Sequence, residues 1–266
     1  MGAVDELLAV AVSVAGEAAE LARESRSAAI QDVGTKSTMT DVVTAADLAV
    51  EELVRSRLAA SRPGEPVFGE ETGGAAGEPG KVCWVVDPID GTVNYLYGFP
   101  WYAVSLAAQV DGVSVAAAVV EPATGRTWTA VRGGGSWCDG VPLRVSAASR
   151  LELSLVATGF PYQAERRAKQ AVGVAALLPK VRDIRRAGAA SLDLCAVAAG
   201  WVDGYFEHGL SRWDWAGGAL IAEEAGAVVR LPGASDELDE DFTFCAAPGI
   251  ADELRNELVR SGLTGL

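Results

Sequence analysis

The sequence predicts a mixed α+β and α/β fold, because its 266 residues fall into three successive patterns. Apolar residues at helical spacing open the chain, short apolar runs separated by turn pairs occupy 82–144, and strand candidates alternate with Ala-rich segments after about residue 150. We expect a single domain, 1–266, made of two halves. The first, 1–148, contains an antiparallel sheet, and the second, 149–266, has α/β character.

Two helices are predicted at the start of the chain. In the first, the apolar residues at helical spacing are Val4, Leu7, Leu8, Ala11, Ala15, Ala18 and Ala22. In the second, they are Ala46, Val50, Leu53, Val54 and Leu58. The second helix should begin near Thr44, because Asp47 then falls where a capping box places its acidic residue.

The remainder of the chain is expected to form strands joined by turns and helices. The apolar runs of 82–144 are separated by the turn pairs Asp111-Gly112, Thr124-Gly125 and Asp139-Gly140. This pattern predicts an antiparallel meander. In the second half, the strand candidates are 154–157, 204–207 and 227–231. The segments between these strands are Ala-rich and helical in pattern, so an α/β layer is expected.

Composition excludes several classes of function. Half of the residues are hydrophobic and 22% are charged, which is typical of a folded globular protein. A net charge of -14 argues against binding to nucleic acid, which requires Lys and Arg to neutralise phosphates. We expect a cytoplasmic protein, since the chain shows neither a secretory signal nor a membrane-spanning run. Four separated cysteines without a CxxC pair are expected to be reduced thiols.

The segment 84–92 carries the strongest chemical signal in the sequence. Asp87 and Asp90 follow a predicted buried strand, and Pro88 restricts the backbone between them. Gly91 permits close approach of the backbone, and Thr92 adds a hydroxyl group. Carboxylate oxygens suit Mg²⁺, but the same spacing also occurs in Asx-rich turns, so two acids alone leave both interpretations open.

Further segments make the pattern recognisable. Gly-Glu-Glu at 69–71, Trp-Val-Val-Asp-Pro-Ile-Asp-Gly-Thr at 84–92 and Trp-Asp-Trp-Ala-Gly at 213–217 occur in this order. Together they resemble the inositol monophosphatase family. Shorter matches are Lys36-Ser37 with Asp41, Val43 to Asp47, Gly188 to Ala190 and Tyr205 to Gly209, so the resemblance covers most of the chain.

The resemblance implies a layered αβαβα sandwich related to fructose bisphosphatase, with the site between the two halves. By the same resemblance, Glu70, Asp87 and the carbonyl group of Ile89 bind one Mg²⁺. Asp87, Asp90 and Asp214 bind a second. Hydrolysis would then proceed by in-line attack of a water molecule that Glu70 and Thr92 orient, with two or three metal ions and no covalent enzyme intermediate.

Residues around the metals are expected to bind the substrate, a small sugar or cyclitol phosphate. The resemblance places phosphate oxygens near Gly91, Thr92 and the helix N-termini at Thr44 and Ala190. It places sugar hydroxyls near Glu207, with Asp90 and the Ala190 backbone assisting. Lys36 resembles a residue of a mobile loop that closes over the metals. A homodimer and inhibition by lithium are also implied.

Several residues have simpler interpretations. Asp41 and Asp47 could be helix-start residues or could support the site. Glu71 is expected to be a supporting or solvated acid, and His208 to have a structural or substrate-rim function. Asp193 and Asp203 are expected to be ordinary helix or turn acids, and Trp84, Trp213 and Trp215 to pack beneath the motif acids.

Two positions depart from the family pattern. Met39 stands near the position where many members have proline, which could make 31–40 more mobile, and Trp215 replaces a smaller residue. Neither change removes a proposed ligand.

Three functions remain open at this point. The leading hypothesis is an inositol-1-phosphate phosphatase, because the ligand set is complete and Glu207 is present. A related phosphatase acting on histidinol phosphate, fructose 1,6-bisphosphate or a phosphoadenosine nucleotide would share the same acids. A non-catalytic partner of the transcription or ribosomal machinery would belong to a different class.

Overall fold

The structure is a computed structural model that describes residues 2–29, 33–35, 42–75, 77–234 and 237–265. Of residues 27–29, 33–35 and 42–44 it describes the backbone alone. Lys36, Asp41 and the predicted mobile loop 31–40, apart from the backbone of 33–35, therefore lie outside the described residues, and what was expected of them stays a prediction.

The N-terminal half places two helices against a seven-stranded sheet. The first elements are α1 (Ala3–Ala29), β1 (Val33–Thr35), β2 (Val42–Thr44) and α2 (Ala45–Ser61). The sheet strands are β3 (Val67–Gly69), β4 (Val82–Asp90), β5 (Ala103–Val110), β6 (Val113–Val120), β7 (Thr127–Val131), β8 (Gly135–Cys138) and β9 (Val141–Pro142), with α3 (Thr92–Tyr97) between β4 and β5. The strands lie side by side in their sequence order. Strand β3 is parallel to β4, and every other neighbouring pair is antiparallel. The predicted meander and both helices are confirmed.

The C-terminal half contains a five-stranded sheet in the order β11-β10-β12-β14-β13. Its strands are β10 (Leu155–Thr158), β11 (Asp183–Arg185), β12 (Gly204–His208), β13 (Val228–Arg230) and β14 (Phe242–Ala246). Its helices are α4 (Ala164–Leu177), α5 (Ala190–Ala198), α6 (Arg212–Glu224) and α7 (Ala251–Arg260). Strand β10 runs parallel to both neighbours, whereas β14 is antiparallel to β12 and β13.

Three hydrophobic clusters show how the layers stack. One joins α1 and α2 to the outer face of the seven-stranded sheet, for example through Trp84 and Val86. A second lies between the two sheets and is filled by α5 and α6. A third joins the other face of the five-stranded sheet to α7 and the end of α4. The order helix, sheet, helix, sheet, helix confirms the expected αβαβα sandwich.

Strand β4 explains why the chemically important segment is so well fixed. Trp84 and Val86 face the α1/α2 layer, whereas Val85 faces the central helices, so β4 is buried on both sides. The pairing between β4 and β5 shifts register between Asp87 and Asp90. Such an irregularity bends a strand and redirects its side chains. The two acids therefore emerge at the end of a rigid, buried strand, beside the central helices.

Two further expectations can be compared with the structure. All four cysteines are free thiols, and Cys83, Cys195 and Cys245 are buried in apolar surroundings, as expected from their spacing. No described helix has the length and apolar character needed to cross a bilayer.

Candidate active site

Three carboxyl groups converge where β4 meets the central helices. Asp87 and Asp90 come from the end of β4, and Asp214 comes from the first turn of α6. Ligand oxygens from all three lie within 4.8 Å of one another. Asp87 is 1% exposed, Asp90 is 7% exposed and Asp214 is half-buried, so most of this cluster is shielded from bulk water.

The electrostatics of the cluster are unfavourable without a cation. Burial raises the pKa of Asp87 well above its usual range, and the charges of Glu70, Asp90 and Asp214 raise it further. Burial and the neighbouring charges of Asp90 and Glu70 act in the same way on the pKa of Asp214. Within the described part of the chain, Oδ1 of Asp87 has no hydrogen-bond partner. Hard oxygen ligands that repel one another in this way fit a divalent cation, which would remove the repulsion.

Hydrogen bonds fix the orientation of two of these carboxylates. Asp90 accepts bonds from the backbone N–H groups of Ala190 (3.1 Å) and Ser191 (2.7 Å), and from the Ser191 hydroxyl at 2.5 Å. Asp214 accepts a bond of 2.6 Å from the Ser211 N–H, as in a capping box. The N-terminus of α5 therefore binds Asp90. The N–H group of Ala190 is thus engaged by the Asp90 carboxylate in this structure, and substrate binding by Ala190 stays a prediction.

The Gly-Glu-Glu loop is held by a buried residue of α2, Glu51. Its carboxylate accepts bonds from the Glu71 N–H at 2.8 Å, the Thr72 N–H at 3.1 Å and the Thr72 hydroxyl at 2.5 Å. Arg55 donates a fourth bond at 2.9 Å. Burial opposes ionisation of Glu51, but these bonds outweigh it and lower its pKa. Glu51 thus remains charged and fixes the loop that carries Glu70.

The turn after β4 has a geometry that requires glycine. Gly91 has a φ of 88°, and a Cβ atom there would lie 3.0 Å from the Trp101 carbonyl oxygen and 3.1 Å from the Ala189 Cβ atom. The hydroxyl of Thr92 donates a 3.0 Å bond to the carbonyl oxygen of Ile89. The structure therefore links Thr92 directly to the carbonyl group that the resemblance assigns to a metal.

A second pair of acids, Glu207 of β12 and Asp193 of α5, lies beside the cluster. Burial raises the pKa of Glu207 to about 7, although a 2.7 Å bond from the Tyr205 hydroxyl opposes the shift. A Cβ atom on Gly159 would lie within 2 Å of the Glu207 carboxyl group, so glycine leaves the space that this carboxyl occupies. Asp193 is also buried, and burial together with the charges of Glu207 and Asp90 raises its pKa well above the usual range.

This placement corrects the expectation that Asp193 is an ordinary helix acid. Asp203, by contrast, does have a local structural role, since it accepts bonds from the Ser146 hydroxyl and the Leu155 N–H. Asp47 is buried in the first turn of α2, and its charge contributes to raising the pKa of Asp87. Asp47 therefore lies in a position from which it can support the site as well as the helix.

The three tryptophans and the histidine singled out in the sequence have packing roles. Trp84 is fully buried and donates its indole N–H to Glu65 at 2.7 Å. Trp213 packs against Phe68, with ring centroids 5.5 Å apart, and Trp215 contacts the central core. The His208 ring packs edge-on against Phe242, in agreement with a structural function.

Sequence reasoning missed several residues that shape the site. Glu51 and Ser191 anchor the predicted ligands, as described above. Asn94 joins the halves by donating to the carbonyl oxygens of Trp101 (2.7 Å) and Ala187 (2.8 Å). An acid at a predicted core position of α2 was an available signal for Glu51, because buried carboxylates require partners. Ser191 and Asn94 lie close to the segments 188–190 and 84–92 that sequence analysis singled out, but their own contacts depend on tertiary structure.

Comparison with known proteins agrees with this geometry. A family model described as the inositol monophosphatase family matches residues 3–263. An inositol-1-monophosphatase of Mycobacterium leprae is 49% identical, with 96% of this chain and 94% of that protein aligned. A Nus factor SuhB of Vibrio cholerae is 35% identical, with 91% of each chain aligned. The solved structure of Mycobacterium tuberculosis SuhB has a TM-score of 0.83 at 43% identity and covers 97% of both chains.

The sandwich, the buried acid cluster and these matches define the class of metal-dependent phosphatases. Within that class, the chain belongs to the inositol monophosphatase family.

Proposed function

We propose that the chain is a Mg²⁺-dependent phosphatase that hydrolyses inositol 1-phosphate to inositol and phosphate. The observation that carries this proposal is the convergence of Asp87, Asp90 and Asp214 in a buried site where their charges repel one another. The name of the Mycobacterium leprae relative supports the choice of substrate.

The chain's own residues divide into metal ligands and substrate contacts. Glu70, Asp87 and the Ile89 carbonyl would hold one Mg²⁺, and Asp87, Asp90 and Asp214 a second. When bound, Mg²⁺ supplies the positive charge that attracts phosphate and the Lewis acidity that phosphate-ester hydrolysis requires. The acidic net charge of the chain thus does not exclude an anionic substrate.

Catalysis depends on how the neighbouring groups position the reactants. The carboxylate of Glu70 acts as the base that accepts a proton from the attacking water. Thr92 orients that water while its hydroxyl donates a hydrogen bond to the Ile89 carbonyl oxygen. Backbone N–H groups at Gly91 and Thr92 bind phosphate oxygens. Glu207, with a pKa of about 7, can either accept or donate a hydrogen bond at neutral pH, so it suits the hydroxyl groups of a cyclitol.

The test of this proposal is a substrate panel assayed for phosphate release with Mg²⁺ and with EDTA. The panel contains myo-inositol 1-phosphate, histidinol phosphate, fructose 1,6-bisphosphate and a 3′-phosphoadenosine nucleotide. We expect Mg²⁺-dependent release with the highest kcat/KM for inositol 1-phosphate. A large preference for another ester would show that this ester, and not inositol 1-phosphate, is the substrate. Absence of phosphate release with every divalent metal would overturn the proposed phosphatase activity. Lithium inhibition and a homodimer are further parts of the proposal, to be tested by LiCl titration and light scattering.

A second candidate function is a binding role in transcription. Its support is the 35% identity to the Vibrio cholerae Nus factor SuhB over nearly the whole chain. The complete set of acids favours retained catalysis, but it does not conflict with a second role. Rescue of a cellular defect in a strain lacking this protein by its Asp87→Asn variant would demonstrate the binding role, whereas rescue by the active chain alone would argue against it.

A further inference from the structure

A second group of potential metal ligands lies at the outer end of β12, outside the acid cluster. It consists of His208, Asp239 and Asp241, whose ligand atoms all lie within 4.8 Å of one another. Nδ1 of His208 is 3.5 Å from Oδ1 of Asp241 and 3.8 Å from Oδ2 of Asp239. The His208 side chain is completely buried, and its Nδ1 has no hydrogen-bond partner among the described residues.

The tautomer of His208 follows from its second nitrogen. Nε2 lies 2.7 Å from the carbonyl oxygen of Leu263, which can only accept a hydrogen bond. Nε2 therefore carries the proton, and in the neutral ring Nδ1 presents a lone pair. Ligating histidines commonly donate their other ring N–H to a carbonyl group in this way, which fixes the ring for a metal.

The buried ring is disposed to be neutral. Burial, the largest influence, lowers the pKa of His208 below its usual range, although the charge of Asp241 opposes that shift. Asp239 also faces the ring, with its Oδ2 atom 3.8 Å from Nδ1, and the charge of Arg166 lowers the pKa of His208 as burial does. A neutral Nδ1 and two carboxylate oxygens place three electron-pair donors around one space, and a cation would satisfy them together.

The two aspartates are already oriented toward this space. Asp241 forms an ion pair with Arg166 through Oδ2, so its Oδ1 remains directed at the imidazole. Asp239 accepts a hydrogen bond of 2.5 Å from the Gly265 N–H. A cavity of about 600 Å³, lined by Arg166, Lys169 and Asp241 among others, borders the cluster at Asp241.

We propose that His208, Asp239 and Asp241 form a second, structural metal site for Zn²⁺ or a similar late first-row divalent ion. One imidazole nitrogen with two carboxylate oxygens suits such ions, whereas Mg²⁺ is bound mainly by oxygen. A water molecule from the cavity completes the coordination. The ion ties the Leu263 to Gly265 segment and the start of β14 to His208, the residue directly after Glu207.

The chain offers an unusually clean test because His208 is its only histidine. Protein labelled with ¹⁵N-histidine and made without a histidine tag is titrated with ZnCl₂ and followed by NMR of the imidazole nitrogens. The labelled protein also carries the Asp87→Asn substitution, which reduces metal binding at the acid cluster. We expect the single Nδ1 signal to shift to a metal-bound position with saturation at one ion per site, while Nε2 remains protonated.

Variants distinguish a metal site from an ion pair. Asp241→Asn should abolish the saturable Nδ1 shift, whereas Asp183→Asn, a distant exposed aspartate paired with Arg185, should leave it unchanged. Zn²⁺ should also slow amide exchange of residues 263–265 in the parent and not in Asp241→Asn. An Nδ1 signal that titrates with pH but does not respond to Zn²⁺ would overturn the proposal, as would an equal response in Asp241→Asn. Because the NMR signal reports the imidazole alone, failure of the proposed phosphatase activity would not affect this result.

Discussion

Replacing Glu51 by glutamine tests whether α2 positions Glu70, the proposed metal ligand. Glu51 is fully buried, and its two oxygens accept four hydrogen bonds from Arg55, Glu71 and Thr72. In the Glu51→Gln variant one oxygen becomes an NH₂ group, which cannot accept a bond. With either orientation of the amide, at least one backbone or side-chain donor of the loop loses its acceptor.

The magnitude follows from the kind of bond that is lost. A hydrogen bond to a charged group contributes about 1.5–3 kcal/mol, and a buried donor without a partner costs a similar amount. We therefore expect a loss of about 2 kcal/mol of stability, which lowers Tm by about 4–8 °C in a domain of this size. Residues that orient metal ligands typically change metal affinity by about 10–100-fold, so the Mg²⁺ concentration for half-maximal activity should rise by that factor.

The assay is phosphate release as a function of Mg²⁺ concentration, combined with a thermal melt in EDTA. Glu52→Gln is the matched control, because the same chemical change falls on the next residue of the same helix at an exposed position. Glu52→Gln should leave both the Mg²⁺ concentration for half-maximal activity and the melting temperature unchanged. An unchanged Mg²⁺ requirement for Glu51→Gln would refute the positioning role of this carboxylate, even if the melt showed the expected loss of stability.

The remaining predictions concern the raised pKa values. In EDTA, Asp87→Asn should melt at a higher temperature than the parent protein. The difference should shrink as pH falls, since a carboxyl group with a raised folded-state pKa destabilises most when ionised; a constant difference would contradict this. KM should change with pH around 7 as Glu207 titrates, and should be flat in Glu207→Gln. Tyr205→Phe removes a bond that favours the ionised carboxylate, so it should move the change to higher pH; an unmoved profile would argue against this coupling.

The sequence predicted those parts of the fold that depend on local pattern. Apolar spacing identified α1 and α2, and paired turn residues identified the meander from β4 to β9. Strand β11 was not predicted because Asp183-Ile184-Arg185 is short and largely exposed, and it is a strand through its pairing with β10. Strand β14 was also missed, although it is an apolar run buried by both neighbouring layers.

In the candidate site, too, some residues could be predicted from local sequence and others could not. Asp87 and Asp90 could be identified from the segment that contains them, and the structure brings Asp214 to them from the first turn of helix α6. The supporting residues depend on tertiary contacts. Ser191 donates a hydrogen bond to Asp90 from 101 positions away, and Asp193 comes close enough to Glu207 for their charges to interact because α5 packs against β12. Both positions follow the 188–190 match closely, but the sequence does not show which distant residues they contact.

The most direct test of the central claim is a Mg²⁺ titration of phosphate release from inositol 1-phosphate by the parent protein and by Asp87→Asn. The parent should show saturable activation by Mg²⁺, and the variant should remain at the background rate at every Mg²⁺ concentration while its circular dichroism shows a folded protein. Retained Mg²⁺-dependent turnover in Asp87→Asn would contradict the assignment of the buried acid cluster as the metal centre.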